Sequence, residues 1–97
     1  METPSCRSDE ITREVTVLNK RGLHLRFAGQ IALLAMRFQA VVKLRKSNQS
    51  ADARSTLSML TLEASYGSKL IIQAEGEEAS AAVAEIGDFI ETQTGYR

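Results

Sequence analysis

What the chain lacks narrows its chemistry before any motif is read. Across 97 residues there is one histidine, one cysteine and no net charge, twelve basic side chains cancelling twelve acidic ones. That balance argues against a general nucleic-acid or membrane-surface binder, whose affinity rests on excess positive charge. With one histidine and one cysteine a His/Cys zinc site is excluded, because such sites need several ligands at set spacing. Cys6 has no partner for an internal disulfide, so it reads as a spectator thiol in a flexible N-terminal tail, residues 1–9, suited to a reducing compartment. No basic n-region leads into an apolar h-region, and no apolar run approaches the roughly eighteen residues of a membrane span. A cytoplasmic, soluble protein without membrane insertion is expected. The G-x-S-x-G nucleophile elbow and the GxxxxGK[ST] phosphate loop are both missing, and nothing in the chain calls for a cofactor.

What is present has the make-up of one folded domain. Hydrophobic residues at 43% and charged residues at 25% are ordinary globular values. From Glu10 to Leu18 residues alternate, with Ile11, Arg13, Val15 and Val17 on one face, which predicts a strand with one buried side. Asn19 to Gly22 breaks that pattern as a turn. From Phe27 to Phe38 the period becomes helical, with Phe27, Ile31, Leu34, Ala35 and Phe38 on one face; Ala32, Leu33 and Met36 make the rest apolar too. A helix apolar nearly all round is either deeply buried or presents its spare face to a partner. Ala40 to Lys46 and Ser50 to Ala53 predict a hairpin, with the basic cluster Lys43, Arg45 and Lys46 on the solvent side. Ser55 predicts the N-cap of a short helix within Arg54 to Leu62. Lys69 to Glu75 alternates again, and Glu77 to Glu91 carries a helical stripe of Ala79, Ala82, Val83, Ile86, Phe89 and Ile90. The order β-α-β-β-α-β-α predicts a two-layer α+β domain over residues 10–91, three helices on one face of an antiparallel sheet, with residues 92–97 as a C-terminal tail.

The stretch Arg21-Gly22-Leu23-His24-Leu25-Arg26-Phe27-Ala28-Gly29 holds the chemistry that composition leaves open. His24 stands just before the long helix, where unpaired backbone N–H groups and the positive end of the dipole favour a neutral, nucleophilic imidazole. The same groups would receive a phosphoryl group once attached. Arg26 adds a permanent cation whose N–H fork matches phosphate oxygens. Gly22 allows a sharp turn and close approach. A histidine here reads equally as a helix cap or a plain surface residue, so the residues alone leave a nucleophile and a bystander both open.

The whole pattern resembles the HPr family, the histidine phosphocarriers of the bacterial phosphoenolpyruvate-dependent phosphotransferase system. The family signature G-[LM]-H-x-R-P-A stands here as Gly22-Leu23-His24-Leu25-Arg26-Phe27-Ala28. A second landmark, a small strand and a serine-led helix, stands as Ser50-Ala51-Asp52-Ala53-Arg54-Ser55-Thr56-Leu57. A third stands as Gly67 followed by Leu70-Ile71-Ile72-Gln73-Ala74-Glu75-Gly76, and the spacing between all three matches. The resemblance implies an open-faced sandwich with sheet order 1-4-2-3. It implies a phosphoryl group on Nδ1 of His24, received from enzyme I, held by Arg26 and passed to an A-type enzyme II component. Partner docking on the first two helices is implied as well, with Phe27, Leu33, Met36, Leu57 and Leu60 as candidates. A monomer acting as stoichiometric carrier rather than catalyst is expected.

Phe27 departs from the signature, which has proline there. Proline in a first helical turn pre-sets φ and gives up an N–H that had no partner; phenylalanine loosens that pre-organisation and places a ring beside His24. Ser55 falls where some family members carry a serine phosphorylated by an ATP-dependent HPr kinase. An HPr-like interaction module that binds a transcriptional regulator, of nitrogen-branch or catabolite-control type, is the rival reading. A ferredoxin-like domain shares much of the element order but gives no reason for the His24–Arg26 pair.

Overall fold

The computed structural model describes residues 10–92; Cys6 and the tail readings at 1–9 and 93–97 lie outside them. Among the described residues the order is β1 (Glu10–Thr16), α1 (Leu25–Ala35), β2 (Val41–Lys46), β3 (Gln49–Asp52), α2 (Thr56–Leu60), β4 (Lys69–Glu75) and α3 (Ala79–Thr92). The strands form an antiparallel sheet in the order β1-β4-β2-β3, as the resemblance implies.

Alternation decides the layers. Val15 and Val17, Val42 and Leu44, and Leu70, Ile72 and Ala74 are buried on the sheet's inner face. The register stacks these rows, setting Val42 opposite Ala74 and Leu44 opposite Ile72. Phe27, Ala28, Ile31, Ala32 and Ala35 of α1 and Ala79, Ala82, Val83, Ile86 and Ile90 of α3 close the core from above. Arg13 also follows the inward alternation, and its guanidinium crosses over Gly87 to pair with Asp88 at 3.2 Å and Glu91 at 3.3 Å. Glu91 in turn accepts the Thr16 N–H at 3.1 Å, fastening α3 to the end of β1. Among the described residues no helix is long and apolar enough to cross a membrane.

Element boundaries differ from the sequence reading by up to three residues, and two of these shifts and one orientation bear on the site and its supports. Helix α1 starts at Leu25 rather than Phe27, because His24 itself takes the extended N-cap conformation. Thr92 is the last residue of α3 rather than part of a tail, its hydroxyl donating to the Phe89 carbonyl at 3.3 Å. Lys43 and Arg45 do face solvent, but Lys46 lies in step with Val42 and Leu44. Its ammonium donates to the carbonyls of Leu62 at 3.1 Å and Glu63 at 3.2 Å.

Candidate functional site

The histidine loop is built from the backbone outward. Buried Asn19 accepts the Arg21 N–H on its side-chain oxygen at 2.9 Å and the Gly22 N–H on its carbonyl at 2.8 Å. Gly22 takes φ +71°, and a Cβ there would come within 2.5 Å of the Ala64 carbonyl oxygen and 2.8 Å of the Ser65 Cα. Both the left-handed backbone and the missing side chain are therefore required. The same Ala64 carbonyl accepts the Leu23 N–H at 2.9 Å, so the residue before the histidine is hung on the segment that follows α2.

His24 then opens α1 at φ −91° and ψ 176°, and its carbonyl accepts the Ala28 N–H at 2.9 Å. Its ring makes no capping hydrogen bond, which removes the reading of His24 as a side-chain cap. The amides of Leu25, Arg26 and Phe27 precede the first intrahelical bond and gather partial positive charge at the helix head. The imidazole is half-buried, and its pKa lies below the ordinary value near 6.5, first through burial and then through the Arg21 and Arg26 guanidiniums. At neutral pH the ring is thus uncharged with a lone pair available. Both arginines are exposed, and among the described residues neither has an ion-pair partner, which leaves their donors for an incoming anion. The sequence reading named Arg26 and passed over Arg21, although its place three residues before His24 was visible.

Phe27 is where the expectation fails. It is 1% exposed, its ring centroid 6.2 Å from that of His24 and 5.6 Å from that of Phe89, so it belongs to the core between α1 and α3 and cannot dock a partner. Replacing it by the family's proline would empty that space, so a Phe27→Pro change costs packing first, whatever it does to helix pre-organisation. Leu60 is also half-buried against the core. The outward apolar surface of these two helices consists instead of Leu25 (63% exposed) and Leu33 (68%) on α1, Met36 (57%) at its C-cap, and Leu57 (73%) on α2, which packs beside it. Leu25 was missed because the helix was started two residues late. Ala28 is fully buried under the first turn. Ser55 caps α2 as expected, its hydroxyl oxygen accepting the Ser58 N–H at 3.2 Å.

An open-faced sandwich with a single neutral imidazole at the head of α1 is a narrow class of fold and site, and comparison with known proteins converges on it. The family model described as "PTS HPr component phosphorylation site" matches residues 11–92. The phosphocarrier protein NPr of Shewanella violacea is 33% identical over 84 residues, covering 87% of this chain and 92% of its own. The phosphocarrier protein HPr of Haemophilus influenzae is 31% identical over 81 residues, covering 84% and 95%. Among solved structures, an HPr from Thermoanaerobacter tengcongensis superposes with a TM-score of 0.83 at 28% identity, over 90% of this chain and 98% of that one. The chain belongs to the HPr family of phosphocarrier proteins of the phosphotransferase system.

Proposed function

We propose that this protein carries a phosphoryl group on His24, taking it from phosphorylated enzyme I and delivering it to an A-type enzyme II component from the cytoplasmic side. The observation that carries the reading is the half-buried His24 imidazole at the head of α1, with Arg21 and Arg26 near it in sequence and without ion-pair partners among the described residues. A lone pair on the ring, Nδ1 by family resemblance, forms the new N–P bond as the bond to the donor breaks. Positive charge then sits on the ring, while Arg21, Arg26 and the first-turn amides surround the dianionic phosphoryl group. In this reading the group is taken up and passed on without hydrolysis, and the protein is a substrate of its partners rather than a catalyst. Leu25, Leu33, Met36 and Leu57 give enzyme I and its acceptor an apolar surface next to the ring.

Incubation with phosphoenolpyruvate and the cognate enzyme I should add one acid-labile phosphoryl group, and His24→Ala should abolish the gain. Wild-type protein that stays unmodified sinks the carrier reading. The exposed apolar surface favours one alternative, an interaction module that binds a regulator without carrying phosphate, and that same null result would promote it. Ser55 is a candidate for phosphorylation by HPr kinase: a dianion at the N-cap of α2 suits the helix dipole but repels an acidic partner. Kinase and ATP should then leave an acid-stable phosphate that Ser55→Ala lacks.

A further inference from the structure

Lys46 plays no part in the site as described so far, yet its bonds lead to it. It ends β2 on the inward row after Val42 and Leu44, where a charged head is costly unless it reaches acceptors. It reaches two, the carbonyls of Leu62 and Glu63 at 3.1 and 3.2 Å. These lie just past Thr61, the C-cap of α2, in the turn whose N–H groups bond back to the helix's last carbonyls. Glu63 is held at φ +52°, a left-handed conformation that a glutamate enters only under constraint. The next residue is Ala64, whose carbonyl accepts the Leu23 N–H at 2.9 Å and stands against Gly22. One continuous path of hydrogen bonds and backbone thus runs from the Lys46 ammonium through the Leu62–Ala64 turn to the residue before His24.

We propose that Lys46 is a positioning residue for phosphoryl transfer, its ammonium holding the turn from which the His24 loop is hung. This role rests on the carrier reading above. Transfer between two proteins needs the ring nitrogen in line with phosphorus, and small displacements of a reacting atom are expensive. Leu25, Leu33, Met36 and Leu57, the docking surface, make no use of Lys46, so the effect should fall on the transfer step rather than on binding.

The test uses Lys46→Met, which keeps the aliphatic stem and loses the ammonium, beside Lys46→Arg, which keeps donors. In Lys46→Met the Leu23 amide should exchange hydrogen about tenfold faster, and kcat for transfer from enzyme I should fall about tenfold with KM little changed. Lys46→Arg should recover most of both. If Lys46→Met does not fold, Lys46→Ala, which likewise has no donor, gives the same reading. Wild-type Leu23 exchange and wild-type kcat in a folded Lys46→Met or Lys46→Ala protein overturn the proposal; so does a change confined to KM. Wild-type protein that takes no phosphoryl group removes the carrier reading itself, whereas phosphorylated wild type with an unaffected variant removes only the role of Lys46.

Discussion

His24 owes its protonation state to its neighbours, and each can be removed singly. Burial is the first cause of its lowered pKa, Arg21 the second and Arg26 the third. Arg21→Ala and Arg26→Ala should both raise the titration midpoint of the ring toward 6.5, the first by more, as followed by NMR of the imidazole protons. Their effects on transfer should differ from their effects on titration. Arg26 stands in the first turn of the helix at which the phosphoryl group would rest, so Arg26→Ala should slow transfer markedly while the fold stays intact. A midpoint unmoved in both variants would show that neither guanidinium faces the ring. The histidine–arginine pair was legible in the sequence because chemistry and spacing are local. The second arginine is equally local but lies outside the family signature, whose arginine is Arg26.

At the scale of elements, α1 carries two apolar faces with opposite duties. Its inner face, Phe27, Ala28, Ile31, Ala32 and Ala35, fills the core, and its outer face leaves Leu25, Leu33 and Met36 in solvent. The sequence showed an excess of apolar residues, and strand alternation gave the buried rows of β2 and β4 correctly, because a period of two needs no partner to be read. The helical period set Phe27 and Leu33 on different faces, but it could not show that the Phe27 ring is closed off from partners. Its neighbour there is Phe89, which arrives from α3 at the far end of the chain. The same alternation puts Lys46 in step with Val42 and Leu44, but its charge reads as solvent-facing, because its acceptors at Leu62 and Glu63 are tertiary neighbours with no local signature. The two faces of α1 should separate cleanly under mutation. Phe27→Ala should lose about 3 kcal/mol of stability in denaturant unfolding, the usual scale for emptying a buried aromatic site. Leu33→Asp should change stability by less than about 0.5 kcal/mol yet raise the KM for enzyme I about tenfold, because it places a desolvated charge in the docking surface. A Leu33→Asp protein with wild-type KM would mean that partners approach over another face.

At the scale of the molecule, the site couples to folding through a single proton. His24 is the only histidine in the chain, and histidine is the side chain whose ordinary pKa lies just below neutrality. Its folded-state pKa lies below the ordinary value of 6.5 that the unfolded chain should show. Above 6.5 the ring is neutral in both states and the folded protein bears no penalty. As pH falls through 6.5 the unfolded chain takes up the proton first, so unfolding gains protons and stability declines until the lowered folded-state pKa is also passed. Below that point the loss is complete and further acid adds nothing from this residue. Denaturant midpoints measured from pH 7.5 to pH 5 should therefore fall with acidity in wild type and stay flatter in His24→Gln, whose amide does not titrate. Arg21→Ala should lie between them, since removing one cation narrows the gap between the two states. An unchanged slope in His24→Gln would place the acid sensitivity elsewhere and would detach the neutrality of the ring from its position at the head of α1.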